Sequence, residues 1–498
     1  MLTLDIGTSS CKAVIFDTLG RELLAASGRY GIHYSDEDHV RVEQSPEEIW
    51  TGVVQAIQGL RLDSAMCSRL KGISISSQIS SHFLVDHHDQ PLTRLISWMD
   101  RRASREAAEL AEAFSPTEMQ SMLGATLPAG ASWPIPKLRW LRRHHPEVLE
   151  QARYLVQPKE WVLFQLTGQW MSDVSSLRGW GHQLERAPAT PLIEWAGADA
   201  QLVPPMGEPW QTAGLLSRHT AALVGLPAGL PVILGWNDLN AAVLGLYGGQ
   251  PDLGIHITGT SDHIGLLRKP ASAEEASAVP AGINAIPFYD ELQLLYGVSS
   301  AGGYALQWFM DRFESDCGEP DYEAIMKMAS QVPAGSKSLW FLPYLQGERS
   351  PWWNPDARAV FYGLSASHDR SHMARAVLEG VGFALRTITD LIDKRPAAIR
   401  VAGGASRNAL WNQIKADQWG VRLETMETRE AGCLGAAILA AVGAGQYDSI
   451  SEAATAMTRV GASFEPDKGE HARYEKQYEH FVRLYHALEP MFAETSRA

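Results

Sequence analysis

Runs of apolar and polar positions resolve into elements from the first residues. LTLDIGTSSCKAVIFD, residues 2–17, is an apolar run that delivers Asp5 into a Gly-Thr-Ser-Ser turn and leaves it through a second apolar run. It reads as strand, turn, strand. In SPEEIWTGVVQAIQGL, Ile49, Trp50, Val53, Val54 and Ile57 share one helical face. Ser45 is its N-cap, Pro46 its first helical position, and Glu47 and Glu48 sit at the positive end of the dipole. KGISISSQ and HFLVD read as strands, with HHDQP (residues 87–91) as the solvated turn closing their hairpin. No further ligand cluster accompanies its two histidines, so a solvated turn is expected. RRASREAAELAEAF reads as helix, and YEKQYEHFVRLYHALEPMF as a closing amphipathic helix.

Two later stretches repeat the opening pattern. LPVILGWNDLNAAVLGLYGG, residues 230–249, reads as a strand, a tight turn at Gly235 to Asp238, and a helix from Leu239. LGIHITGTSDHIGLL then places Gly259-Thr260-Ser261 between apolar runs, as Gly7-Thr8-Ser9 is placed half a chain earlier. The Gly-rich stretch at residues 246–253 marks a boundary, giving an N-terminal domain over 1–247 and a C-terminal domain over 248–498. Strands followed by helices in both halves make the class α/β.

Composition narrows the partners. A chain of 498 residues, 45% hydrophobic and 20% charged, is a globular protein of at least two domains. A formal charge of −14 argues against nucleic acid. Cys11, Cys67, Cys317 and Cys433 form no CxxC pair, so reduced thiols and a cytoplasmic location are expected. No leader is evident, and the longest apolar stretches, such as LGAAILAAVGAG, are too short to span a bilayer.

The small-residue turns have a chemical reading. Successive backbone N–H groups with Thr and Ser hydroxyls make an anion nest, and small residues let phosphate approach. Residues 7–10 and 258–261 meet that specification, although Gly-Thr-Ser turns also close ordinary hairpins. A nucleotide brings Mg²⁺, which takes carboxylate and water oxygens, and Asp5 could hold it. IRVAGGASRNALWNQIKADQWG adds a strand turning through Gly403-Gly404 into a helix, a place for a nucleotide phosphate or ribose. Asp238 is the general-base candidate, since phosphoryl transfer to an alcohol needs a carboxylate at the hydroxyl. A plain N-cap aspartate is the alternative, and the two roles are compatible.

With these residues in view, the chain resembles the FGGY family of carbohydrate kinases over essentially its whole length. SWPIPKLRWLRRH (residues 132–144) and AVFYGLSASHDRSHMARAVLE (residues 359–379) resemble the two family patterns, and PYLQGERSPWWNPDARAVFYGL and REAGCLGAAILAAVGAG read like family segments. The resemblance implies two actin-like, RNase H-like ATPase domains, closing over ATP-Mg²⁺ and a sugar in the cleft between them. It implies Asp5 as the metal-associated aspartate and Asp238 as the base. Thr8 and Ser9 resemble the first phosphate loop, Gly259 and Thr260 the second, and Gly403, Gly404 and Asn408 the nucleotide motif. One departure is that Gly235-Trp236-Asn237 stands where the family usually has glycines before the base.

The same resemblance bears on the sugar. Gln78-Ile79-Ser80 stands where xylulokinase-like members carry Gln-Met-His and glycerol kinases an Arg-Glu pair. Glycerol is disfavoured, and the missing Met-His weakens plain D-xylulose. SWMDRRA resembles the Trp-x-Asp-x-Arg stretch of xylulose and gluconate kinases, which makes Asp100 and Arg102 pocket candidates, with an Asp-Arg helix cap as the plainer reading. Asp173, Ser175 and Arg178 fall near that pocket by analogy; an extra Arg would suit a sugar acid or an already anionic group, and a surface ion pair explains it equally well. Of sixteen tryptophans, Trp98, Trp133 and Trp236 are candidates for sugar contact. The expectation is a kinase of a ketose, a xylulose-like pentulose first. The alternatives are a sugar acid such as gluconate, a polyol, or a non-catalytic actin-fold sugar sensor. A homodimer is what the resemblance suggests.

Overall fold

The computed structural model describes residues 1–35, 40–313 and 322–495, and it divides into two compact units. One comprises Met1–Gly249 together with Glu430–Arg459; the other comprises Gln250–Arg429 and the chain from Val460 on. The chain first crosses between units after Gly249. The return of Glu430–Arg459 to the first unit has no counterpart in the sequence reading.

Each unit is built on one mixed sheet, and the two sheets repeat a strand order. In the first unit Leu2–Ile6, Ser10–Phe16 and Glu22–Arg29 form an antiparallel meander. Ile73–Ser77 adds in parallel to Leu2–Ile6, and Pro231–Asn237 in parallel to Ile73–Ser77. In the second unit Leu253–Thr258, Asp262–Arg268 and Gln293–Ser299 form the meander, with Ala398–Gly403 and then Arg422–Met426 added in parallel. Both Gly-Thr-Ser segments are therefore the first hairpin turn of their sheet, with a parallel neighbour ending beside it.

Local signals explain several elements. The Ser45 hydroxyl accepts from the Glu48 N–H at 3.2 Å and caps the helix Pro46–Gly59, whose Ile49, Val53 and Ile57 are buried against Leu4, Ile75 and Trp161. The last helix, Lys468–Thr495, buries Tyr474, Phe481, Tyr485 and Phe492 in the core of the second unit, beside Val377, Val381 and Trp411. Among the described residues no helix is long and apolar enough to cross a membrane. Cys11 and Cys433 are buried and Cys67 half-buried, all as free thiols; Cys317 lies outside the described residues.

One strand pairing differs from the sequence reading. Ile73–Ser77 and Phe83–Asp86 are not a hairpin: the first lies inside the central sheet, and the second pairs with Ala152–Val156 in a separate two-stranded sheet. The reason is burial. Every residue of Ile73–Ser77 is buried, as suits a central strand with parallel neighbours on both sides, and Ser80 at φ 66° redirects the chain before Phe83. The turn at residues 87–91 folds the second strand back on itself instead, with Asp86 Oδ1 accepting from the His88 and Gln90 amides at 2.8 and 2.9 Å.

Two helices of the first unit meet at glycines. A Cβ on Gly435 would stand 1.8 Å from the Ala241 carbonyl oxygen, and one on Gly245 would stand 2.1 Å from that of Ala431. Asp238–Tyr247 and Ala431–Gly443 thus touch backbone to backbone. Gly435→Ala adds about 1 kcal/mol of helix propensity. Against that it forces apart a contact whose overpacking costs about 1–3 kcal/mol. The expected outcome is a net loss of stability, read as a lower thermal midpoint for the first unit; an unchanged or raised midpoint would contradict this packing.

Candidate active site

The opening turn has its carbonyls tied down and its amides left over. Gly7 O accepts from the Tyr30 hydroxyl at 2.7 Å, Thr8 O from Gln44 Nε2 at 2.7 Å, and Ser9 O from the Tyr30 amide at 3.1 Å. The Gly7 amide closes the turn on Ser10 O at 3.0 Å. Among the described residues, the Thr8 and Ser9 amides donate to no protein acceptor. The outcome is a concave set of donors, as an anion nest requires. Asp5, at the end of the strand entering this turn, is partly exposed, and desolvation raises its pKa while Lys12 opposes the rise. The first turn of Ala431–Gly443 lies alongside, where a Cβ on Gly432 would stand 3.9 Å from Asp5 Oδ1. Glu430 is ion-paired with Lys12 at 2.6 Å.

The second unit repeats the device with different parts. Gly259 O and Thr260 O accept from the Gly303 and Tyr304 amides at 2.8 and 3.2 Å, at the start of the helix Gly303–Phe313. Asp262 Oδ1 takes the Gly259 amide at 3.0 Å, and its Oδ2 is bonded to His256 Nε2 at 2.8 Å. Gly259 therefore contributes shape, and the donors left are those of Thr260 and Ser261. Thr258 pairs across the sheet with Gly403, so the 403–408 segment stands at the same sheet end as this turn. Gly403 sits at φ 96°, and a Cβ there would meet Thr258 O at 2.0 Å. Gly404 begins a 3₁₀ turn, and a Cβ on it would meet nothing within 4 Å. Asn408 caps Ala409–Trp419 by accepting from the Trp411 amide at 2.8 Å.

Asp238 stands at the end of the third parallel strand of the first unit. A register shift between Ile233 and Trp236, with Gly235 at φ 76°, bends Pro231–Asn237 just before it. The helix cap is Asn237, whose Oδ1 accepts from the Asn240 amide at 2.9 Å, so Asp238 is not the N-cap. Its carboxylate is open to solvent and is held by backbone amides alone, that of Leu239 at 2.8 Å and its own. Desolvation by the surrounding protein pushes its pKa up to about 6; Asp5 adds to the rise, and Arg178 opposes it. Arg178 itself pairs with none of the described residues, and its Nε is buried without an acceptor.

The residues expected to hold a sugar fall into two groups. Gln78 and Ser80 are buried and Ile79 half-buried, directly after the strand Ile73–Ser77. Gln78 bonds Gln44 at 3.2 Å and Ser81 at 3.2 Å, which links this stretch to the Thr8 carbonyl through Gln44. Asp100 is fully buried and saturated: it accepts from the Val42 amide at 2.7 Å and from Arg102 at three nitrogens. Arg102 also holds Glu43 at 2.6 Å and lies over the Trp140 ring. The pair does not cap the following helix, which has no side-chain cap. Of the three tryptophans, Trp133 and Trp236 are buried, and Trp98 is 44% exposed with its indole N–H on Thr8 Oγ1 at 3.3 Å.

Comparison with known proteins decides the family. The model of the N-terminal domain of the FGGY family of carbohydrate kinases matches residues 1–245, and that of its C-terminal domain matches residues 255–444. The chain belongs to this family. It is 30% identical to a gluconokinase of Bacillus licheniformis, over 100% of this chain and 96% of that one. It is 29% identical to a xylulose kinase of Escherichia coli strain K12, over 98% and 99%. A ligand-bound xylulose kinase from Lactobacillus acidophilus superposes with a TM-score of 0.87 at 26% identity, covering 99% of each chain. The protein is thus a sugar kinase with ATP as phosphoryl donor and the two-domain actin-like ATPase fold, xylulokinase-like within its family.

Several residues that shape this kinase carried no local signal. Lys137, from the first family pattern, is fully buried and donates to Ser97 O at 2.7 Å and Ser80 O at 3.4 Å, which ties together the two candidate sugar segments. Burial pushes its pKa down to about 7, with Asp100 opposing. Gln44, Tyr30 and Asp262 hold turn backbone in the same way. Only the identity of a long polar residue inside an apolar pattern could have pointed to them. Lys137→Met keeps the length and removes the donor that Ser80 O and Ser97 O share; Ser97 O keeps the Asp100 amide at 3.0 Å, so the loss is on the order of 1 kcal/mol. The expected outcome is faster amide exchange over residues 78–82 and 97–102 and a lower thermal midpoint. Unchanged exchange there would rule out the tie.

Proposed function

We propose that this kinase transfers the γ-phosphoryl group of ATP to a terminal hydroxyl of a ketose, a xylulose-like pentulose first. The observation that carries the reading is Asp238: the cap is supplied by Asn237, which leaves an open carboxylate with a raised pKa at a strand end. In this reading Asp238 takes the hydroxyl proton while that oxygen bonds to the γ-phosphorus and the bond to the ADP oxygen breaks. The Thr8 and Ser9 amides, and those of Thr260 and Ser261, bind phosphate oxygens, while Gly403, Gly404 and Asn408 shape the nucleotide end. Gln78 and Ser80 bind sugar hydroxyls, with Asp100 and Arg102 bracing the segment beside them. Asp5 fits Mg²⁺, because that ion ordinarily takes one or two carboxylates with water and phosphate oxygens. When bound, Mg²⁺ supplies neutralisation of phosphate charge. A cytoplasmic homodimer belongs to the same reading.

The base role has a pH signature. A protonated Asp238 cannot accept the hydroxyl proton, so activity is full above its pKa of about 6 and is lost as pH falls through it. The kcat/KM of the wild-type enzyme should fall roughly tenfold per unit below that limb. Asp238→Asn should fold, bind ATP and lose sugar-dependent ADP release. Turnover near that of the wild type in Asp238→Asn would remove it from the base role.

A sugar acid is the second reading, and the cation it would use is Arg178, unpaired among the described residues. ADP release measured over pentuloses, hexuloses, polyols and aldonic acids separates the two. A pentulose is expected to give the highest kcat/KM. Preference for an aldonic acid, with a KM that rises only for acids in Arg178→Met, would establish the second reading instead.

A further inference from the structure

Asn237 stands where the family usually has glycine, and its side chain is fully engaged. Its Oδ1 caps the helix of Asp238, and its Nδ2 donates to Ser175 Oγ at 2.9 Å. The Ser175 hydroxyl in turn donates to Asp173 Oδ1. Asp173 also accepts from the Ser175 and Ser176 amides at 2.9 and 3.2 Å and from the Ser176 hydroxyl at 2.6 Å, and it is ion-paired with Lys159. Lys159 and Asp173 are each 1% exposed.

Every role in this chain is forced. Lysine only donates and a carboxylate only accepts, so the single Ser175 proton goes to Asp173. Ser175 must then accept from Asn237, which fixes the amide with its oxygen toward Asn240. The line runs from a buried ion pair to the residue next to Asp238, with one donor and one acceptor at each step. A capping role alone needs only Oδ1. The Nδ2 bond is additional, and it ties the first turn of Asp238–Tyr247 to the turn Val174–Ser176, which continues to Arg178.

We propose that Asn237 is a positioning residue for the phosphoryl-transfer step: through Ser175 and Asp173 it holds the Asp238 carboxylate, and the Arg178 segment beside it, in the reactive arrangement. A glycine at position 237 would supply neither bond. The inference rests on Asp238 being the base.

The test is a double-mutant cycle at Asn237 and Ser175. Asn237→Ser keeps a good cap and is too short for the tie; Ser175→Ala removes the acceptor and leaves the cap. Activity is sugar-dependent ADP release with whichever of D-xylulose, L-xylulose and D-gluconate the wild-type enzyme turns over fastest. Each single variant is expected to lower kcat about tenfold, since small misplacement of a catalytic group costs up to about a hundredfold. The KM for ATP should stay close to wild type; Ser175→Ala leaves the buried Asn237 Nδ2 without its partner, so its thermal midpoint falls and activity is read well below it. The double variant should be no slower than either single one, and Ser175→Thr, which keeps the hydroxyl, should restore kcat. Undiminished kcat in both single variants, or losses that multiply in the double variant, would overturn the proposal. So would losses that vanish when activity is read well below the thermal midpoint. Asp238→Ala run alongside separates the two levels. If it is inactive while Ser175→Ala is normal, only the positioning role fails; if it turns over normally, the base reading fails with it.

Discussion

The first unit depends on a helix that arrives late in the chain and can carry no side chain at its closest points. Ala431–Gly443 lies on Asp238–Tyr247 with Gly435 against the Ala241 carbonyl and Gly245 against that of Ala431. A single methyl at either glycine would overlap backbone, which has no rotamer with which to move away. The consequence reaches the chemistry. With the two helices at this distance, Gly432 comes beside Asp5, and Glu430 meets Lys12. The surroundings of the candidate metal carboxylate are therefore set by small residues more than four hundred positions away in sequence, and the helix that begins at Asp238 is fixed by the same contact.

Both Gly-Thr turns have their carbonyls occupied and amides left over, the arrangement on which the proposed phosphate binding rests. A peptide unit presents one donor and one acceptor, so an exposed turn is ordinarily indifferent to charge. Here the acceptors are removed: Tyr30 and Gln44 occupy the carbonyls of the first turn, and the amides of Gly303 and Tyr304 those of the second. What is left over is donor. Among the described residues no positively charged side chain is bonded to either turn, so this polarity belongs to the backbone and persists in a protein of net charge −14. The two units reach it with unrelated residues, a tyrosine and a glutamine in one and a helix start in the other, although their strand orders match.

Elements set by neighbouring residues were legible: the two hairpins, the Ser45 cap, the strand leading into the helix at Asp238, and the glycine turn at Gly403. Each follows from a pattern spanning fewer than about twenty residues, where turn chemistry and periodicity act. The tight turn expected at Gly235 to Asp238 is instead strand as far as Asn237, bent by a register shift, and the helix starts at Asp238. Ile73–Ser77 was placed as a strand but given the wrong partner, because parallel pairing joins segments far apart and leaves no local mark. The return of Glu430–Arg459 to the first unit was illegible for the same reason. Site residues divide similarly. Asp5, Asp238 and the small turns announce themselves by residue type in a strand-end setting. Lys137, Gln44 and Lys159 act by holding distant backbone or a distant carboxylate, and a buried polar residue in a sequence does not declare its partner.

In the proposed reading, the placement of the arginines fits a neutral sugar ahead of an acid. Arg102 is already neutralised, by Asp100 at 2.7 Å and Glu43 at 2.6 Å, so it adds little attraction for a carboxylate. Arg178 has no such partner, but its charge acts on Asp238, lowering a pKa that desolvation raises. In the proposed reaction Asp238 marks the hydroxyl being phosphorylated, whereas the carboxylate of an aldonic acid lies at the other end of the carbon chain. A cation on the Asp238 side is better placed for charge on the transferring phosphoryl group than for that distant carboxylate. The Gln78–Ser80 segment carries amide and hydroxyl groups, which suit sugar hydroxyls. An acid substrate would need its second end to find a cation elsewhere; Arg102 is committed to Asp100 and Glu43, and Lys137 to the Ser80 and Ser97 carbonyls.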